Sequence, residues 1–314
     1  MITRRHVRVK VAQSIYALLN DVERDLIEEI KFFQNSVQQS QELFLLSFDF
    51  LRATYRHAEA LLKSLKMLRT PDLEAQKKLE TILDNSYFNF LMDHPIGQKK
   101  GMSRKLKHWE LEFDYVQKVF KNWETSDSFQ EHMAQDNPSI EQQKTLLVDY
   151  FKSFVATSDT LAEHYEDIQI TWSDDLPLIN TYLLRQLKGI QLGDSASFQF
   201  PEFNNRSEEV EFGRELLEKT FTQNDALQKE FEDKTPNWDS DRIAQMDAIL
   251  IKMALAELLH FPEIPPRVTL NEYLEIAKDY STPKSNQFIN GLLDKLVREF
   301  KESNRLVKTG RGLR

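Results

Sequence analysis

The 314-residue chain contains no cysteine. That excludes a disulfide framework, a thiolate zinc site, an iron–sulfur cluster and a thiol nucleophile. Glycine is scarce as well, with 8 residues, so tight turns, hairpins and phosphate-cradling loops have little to be made from. No P-loop or dinucleotide fingerprint is present, and Gly310-Arg311-Gly312 reads as part of a tail. Long apolar runs are also missing. Ala248–Leu259 is the most apolar stretch, but it contains Lys252 and Glu257 and is shorter than the roughly 18–20 residues that cross a bilayer. The apolar run Val11–Leu19 behind a basic start is broken by Gln13 and Ser14 and is followed by no small-x-small cleavage site. It therefore reads as a helix rather than a secretory signal, and a cytoplasmic location is expected.

What the chain does contain is 21 Phe, 40% apolar residues and 29% charged residues, enough for a substantial helical core. Its net charge of −9 is unevenly spread. Residues 1–20 carry +4 through Arg4, Arg5, Arg8 and Lys10, residues 301–314 carry another +4, and the middle carries −17. A local basic patch acts over a Debye length of about 8–10 Å, so a negative total does not exclude a polyanionic partner.

Apolar spacing is helical almost throughout. Val7, Val11, Ile15 and Leu18 form one stripe of a first helix ending near Asn20. Helices are expected over 43–68, 73–92, 106–123, 139–165 and 176–187, with a loop over 94–103. Gly189, Gly193, Pro201 and Asn204-Asn205 mark a boundary. Beyond it, Ser207 is placed to cap a helix to about Phe231, and Asp239 or Ser240 to cap one ending at Pro262. Thr269-x-x-Glu272 has the form of a capping box, and Thr282-Pro283 supplies an N-cap and first-turn proline for a last helix bearing Phe288, Leu292, Leu296 and Phe300. Asp159–Asp175 echoes Asp225–Asp241 at a shift of 66 residues, including Trp172/Trp238, which suggests a repeated helix pair.

Chemistry for catalysis is not found. No two of the seven histidines lie at i, i+3 or i+4, so no zinc site is expected. Glu257-x-x-His260 lacks the second pair a di-iron centre needs, so both residues read as ordinary polar positions at a helix end. Asp239-Ser240-Asp241 lacks the glycine and terminal glutamate of a calcium loop. No enzyme, cofactor or metal is expected.

Binding is the remaining possibility. Arg4, Arg5, Arg8 and Lys10 make a compact cationic surface suited to phosphates, and Gln13 lies one turn on. The last helix begins with Lys284, Ser285, Asn286 and Gln287, where free backbone N–H groups favour anions. Phe288 beside them is either an aromatic platform for an unstacked base or the first core position of its helix.

Several blocks carry a family resemblance: Trp238-x-x-Asp241-Arg242, Asp247-Ala248-Ile249-Leu250, Ala254-x-x-Glu257-Leu258-Leu259, Ile264-Pro265, Asn271-Glu272-x-x-Glu275-Ile276-Ala277-Lys278 and Phe288-Ile289-Asn290-Gly291-Leu292-Leu293-Asp294-Lys295. In order and spacing they resemble the C-terminal part of the NusB family of antitermination factors, and Arg4-Arg5-x-x-Arg8 through Gln13-x-x-Tyr16 resembles the family's arginine-rich first helix. The resemblance implies an all-α, NusB-like double helical bundle with a large inserted helical region. It divides the chain into a basic first helix (1–20), an insertion containing a partial repeat (21–206), a C-terminal core (207–300) and a basic tail (301–314).

It also implies RNA binding without catalysis. The expected ligand is the boxA element of ribosomal RNA transcripts, bound together with the ribosomal small-subunit protein NusE in a transcription elongation complex that suppresses termination. Arg4, Arg5, Arg8, Lys10 and Gln13 would then contact RNA, as would Lys284, Ser285, Asn286, Gln287 and Phe288. No membrane partner is implied, and a homodimer is compatible with the sequence. Departures from the family pattern include Val9 and Lys10 for a usual Glu and an apolar residue, Lys252 where Arg is common, Ala256 where Tyr is common and Tyr273 where Ala is common; the last two exchange bulk between neighbouring helices. The competing reading is a helical protein-interaction adaptor that works through the insertion. The family domain also precedes a methyltransferase domain in some ribosomal RNA methylases, but no nucleotide-binding module follows it here.

Overall fold

A computed structural model describes residues 3–95, 107–135, 137–201, 207–232, 234 and 244–313. The expected loop over 94–103, the proposed cap at Asp239 or Ser240, and Trp238 of the internal echo fall wholly or largely outside these residues. Among the described residues there are fifteen α-helices and no strand, only a single bridge between Gln191 and Asp194. None of the helices is long and apolar enough to cross a membrane. The chain divides into two compact units, one formed by residues 39–202 and the other by residues 2–38 with 203–314.

The second unit contains α1 (Arg4–Asn20), the start of α2 (Leu26–Lys66), α11 (Glu208–Thr222), α12 (Asn224–Glu232), α13 (Gln245–His260), α14 (Pro266–Tyr280) and α15 (Pro283–Glu302). Residues 21–38, which sequence reading assigned to the insertion, thus belong with the first helix. Phe33 and Val37 of α2 are fully buried there. Every residue of α13 from Ile249 to Leu258 is buried, as expected of a helix surrounded by others. α1 packs on α11, α13 and α14. The approach to α11 is close: a Cβ on Gly213 would lie 2.3 Å from Phe33 Cζ and 2.5 Å from Val7 Cγ1. Two cations of the basic end are held by the second unit, Arg305 paired to Glu230 and Lys308 donating to the Phe261 carbonyl.

Helix starts follow local chemistry. Ser207 caps α11 by accepting from Val210 N, and Thr282 caps α15 by accepting from Ser285 N with Pro283 in the first turn. The expected capping box at Thr269 does not form. α14 already begins at Pro266, so Thr269 and Glu272 lie within the helix and are used elsewhere. The segment expected as one helix to Phe231 breaks at Gln223 into α11 and α12.

The first unit is built on the rest of α2, which starts at Leu26 rather than near Leu43 and has every residue from Leu43 to Leu51 buried. Around it lie α3 (Leu73–Leu83), α4 (Ser86–Asp93), α5 (His108–Leu111), α6 (Phe113–Glu124), α7 (Asp127–Met133), α8 (Ile140–Tyr150), α9 (Asp159–Ile168) and α10 (Trp172–Gly189), with a π-helical turn at Phe151–Val155. Trp109 and Trp172 donate to the α2 carbonyls of Leu46 and Gln39 at 2.9 and 3.0 Å. Ser40 donates to buried Asp175 at 2.6 Å.

Candidate nucleic-acid interface

Thr3 begins α1 by accepting from His6 N at 3.2 Å, and the first turn that follows holds Arg4 and Arg5 and no acid. Cations at a helix N-terminus oppose the macrodipole by roughly 0.3–1 kcal/mol each, so the arginines weaken the helix locally and need support from other elements.

That support is graded. Arg4 is exposed, stacks over Phe212 at 5.3 Å and has no carboxylate partner among the described residues. Arg5 is about half exposed and makes a two-pronged ion pair with Glu272 of α14, both bonds 3.0 Å. Arg8 is buried. Its Nε and Nη2 donate to the two oxygens of Glu257 at 2.8 Å each, its guanidinium lies 5.1 Å from the Phe212 ring and 5.8 Å from the Tyr273 ring, and Nη1 is 3.7 Å from Glu272.

Glu257 is not the ordinary polar position its spacing suggested. It is fully buried and also accepts from Thr269 Oγ1 at 2.8 Å and Tyr273 OH at 3.1 Å. Four donors fill the four lone-pair sites of a carboxylate. Burial alone lowers the Arg8 pKa, but the hydrogen bond and charge of Glu257 outweigh it, so the guanidinium is held charged more firmly than in water. Burial and the Glu257 charge push the Tyr273 hydroxyl well above its ordinary range, so it stays a donor. Tyr273 thereby ties α14 to α13 beside Ala256, and both residues are fully buried. His260 lies one turn on and pairs with Gln223 at 2.8 Å.

The structure therefore separates the candidate residues. Arg4 and Arg5 are presented to solvent and Gln13 is half-buried, whereas Arg8 and Lys10 are each only 2% exposed. At the start of α15, Lys284 and Gln287 are exposed. Ser285 is buried and shares a 2.9 Å hydrogen bond with Thr282, Asn286 donates to the Leu274 carbonyl of α14 at 2.7 Å, and Phe288 is half-buried. Ser281, just before this turn, donates to Asp247 of α13. Both basic segments are thus anchored to the same stretch of α14, the first through Glu272 and the second through Leu274. A cleft of about 680 Å³ opens beside α1, lined by Arg4, Arg5, Arg8, Glu263, Ile264 and Glu272 among others.

Glu257, Glu272 and Phe212 are not marked in the sequence as partners of the arginines. Their separations, 249 and 267 residues for the ion pairs, leave no local signal. Two histidines that are isolated in sequence also meet in the first unit, His108 Nε2 and His164 Nε2 lying 2.8 Å apart. No group of three or more His, Asp or Glu side chains placed to hold a metal ion occurs among the described residues.

A family model described as the NusB family matches residues 181–298, which include α11 to α14, most of α15 and the second half of α10. The chain is 42% identical over 103 residues to a protein of Salinibacter ruber named transcription antitermination protein NusB, covering 33% of this chain and 64% of that one. A protein of the same name from Chloroherpeton thalassium is 48% identical over 77 residues, 24% of this chain and 36% of that one. The namesake from Geotalea daltonii is 31% identical over 125 residues, 40% of this chain and 83% of that one. The match thus spans less than two thirds of the first two relatives and most of the third. No solved structure matches. With four fifths of a relative covered at this identity, and with the family model falling on the helices that seat α1, the chain belongs to the NusB family.

Proposed function

We propose that this protein is a non-catalytic transcription antitermination factor that binds boxA RNA of ribosomal RNA transcripts together with the ribosomal protein NusE. One observation carries the reading. The arginine-bearing α1 is seated on α11, α13 and α14, all within the region that matches the family model, although nearly 190 residues separate α1 from α11 in the chain. Arg4 and Arg5 supply phosphate contacts, and the first turn of α15 adds Lys284, Gln287 and the exposed part of Phe288. Arg8 acts through position: its buried pair with Glu257 seats α1 on α13, and Arg4 and Arg5, one turn nearer the start of the helix on the same side, reach solvent. Lys10 and Ser285 are buried as they stand, and Ser285 shares a hydrogen bond with the cap residue Thr282.

The test is filter binding of boxA RNA and a scrambled RNA of equal length. Tighter binding of boxA is expected, and equal affinity for the two contradicts the reading. Equal affinity favours an adaptor instead, for which the first unit has one specific feature: Met67 and Leu68 in the turn after α2 and Leu73 at the start of α3 are more than half exposed.

A further inference from the structure

Arg5 holds its partner in the geometry by which arginine grips a phosphate, with two parallel N–H···O bonds of 3.0 Å from Nε and Nη2. The pair faces the cleft that Arg4 and Arg8 also line, and it is solvent-accessible, with Arg5 48% and Glu272 21% exposed. Exposed ion pairs are weak and exchange readily. Arg8 differs, because its partner is entirely buried and saturated with donors. Glu272 has somewhere to go when Arg5 leaves, since Arg8 Nη1 already lies 3.7 Å away, so the carboxylate keeps a cationic neighbour in either arrangement.

We propose that Glu272 sets the RNA affinity of this protein by acting as an internal competitor: its carboxylate occupies the Arg5 fork as a phosphate would, and RNA must displace it to engage Arg5. This rests on the reading of α1 as an RNA-binding helix and adds the residue that opposes it. Because every RNA that uses Arg5 meets the same competitor, Glu272 lowers affinity for boxA and for other single strands by the same factor and leaves their ratio unchanged. It keeps the free protein from being occupied by whatever polyanion is most abundant.

A double-mutant cycle on the full-length protein tests this, with boxA and scrambled single-stranded RNA as probes in moderate salt. Glu272→Gln keeps size and an acceptor oxygen but removes the charge, and it is expected to tighten both RNAs by about fivefold, the scale of one exposed ion pair. In an Arg5→Gln background the same change is expected to give less than about twofold, because there is no guanidinium left to release. Glu275→Gln removes a neighbouring charge that is bonded to Lys278, and it reports the general field effect alone. Unchanged or weaker binding by Glu272→Gln overturns the proposal, and so does an equal gain with and without Arg5. Thermal unfolding of each variant confirms that the fold is kept. If the wild type binds neither RNA, the functional reading fails and the competitor falls with it; if the wild type binds and Glu272→Gln gains nothing, only the competitor fails.

Discussion

Each unit of this protein encloses a helix buried on all sides, and each of those helices carries a buried carboxylate, but the two are neutralised differently. In the first unit Asp49 of α2 is met by Arg56 of the same helix, at 3.2 and 3.5 Å, and Arg56 is one third exposed. In the second, Glu257 of α13 is met by Arg8 from a helix 249 residues away, with Thr269 and Tyr273 completing the shell. A pair within one helix fixes no tertiary arrangement. A pair between distant helices ties α1 to α13, at the expense of two desolvated charges. The second unit is where the candidate binding surface lies, and there Arg4 and Arg5 at the start of α1 reach solvent while Arg8, one turn on, is buried.

The largest expected effect breaks this contrast directly. Glu257→Ala leaves Arg8 buried without its hydrogen-bonded counter-charge, with only Glu272 at 3.7 Å, and is expected to destabilise the second unit by about 3 kcal/mol. Asp49→Asn is expected to cost under about 1 kcal/mol, because burial already raises the Asp49 pKa against the opposing pull of Arg56, and the freed Arg56 can reach water. Urea unfolding with hydrogen exchange read separately on α2 and α13 checks both. Similar losses for the two variants would remove the distinction.

A smaller loss is expected at the α1–α11 contact. Gly213→Ala puts a methyl group into Phe33 and Val7 and should cost about 1–3 kcal/mol through overpacking. The same urea series measures it, and a neutral result would mean that α1 shifts outward without penalty.

A third difference between the units is acid sensitivity. His57, His108, His132 and His164 in the first unit all have pKa values lowered chiefly by burial, and the second unit has one such group, His260. His57 sits edge-on to Phe113 and Phe120, and the His108–His164 hydrogen bond requires at least one neutral ring. With folded values below the unfolded value near 6.5, the unfolded state takes up protons first. The stabilisation is complete above about pH 6.5 and is lost as pH falls below it. Thermal unfolding at pH 7.5 and 5.5 should show the first unit losing more than the second, with His57→Phe reducing the loss. Equal losses would show that the histidines titrate as if exposed.

The parts of this fold legible in the sequence are those whose physics is local. Ser207 and Thr282-Pro283 mark helix starts because a cap and its N–H partner lie within three residues. The first turns of α2, up to Leu43, escaped notice because Glu28, Glu29, Lys31 and Gln34 mask the sparse apolar stripe of Ile30, Phe33 and Val37, which faces the second unit's core. Thr269-x-x-Glu272 misled for the opposite reason: a valid local pattern was overridden by distant partners, Glu257 for the threonine and Arg5 for the glutamate. The cationic character of α1 was legible in Arg4 and Arg5. Which arginines would be neutralised was not, because Glu257 and Glu272 are brought to α1 only by tertiary packing.

The proposed function rests on Arg4 and Arg5, at the exposed start of the helix that the Arg8–Glu257 pair seats, gripping RNA phosphates. It is tested most directly by the salt dependence of boxA binding for the wild type and for Arg4→Gln/Arg5→Gln. Weaker binding by the double variant is expected at every salt concentration, with the slope of log affinity against log salt shallower by about 1.4, two phosphate contacts on a single strand. An unchanged affinity and slope, with the fold intact by circular dichroism, would contradict it.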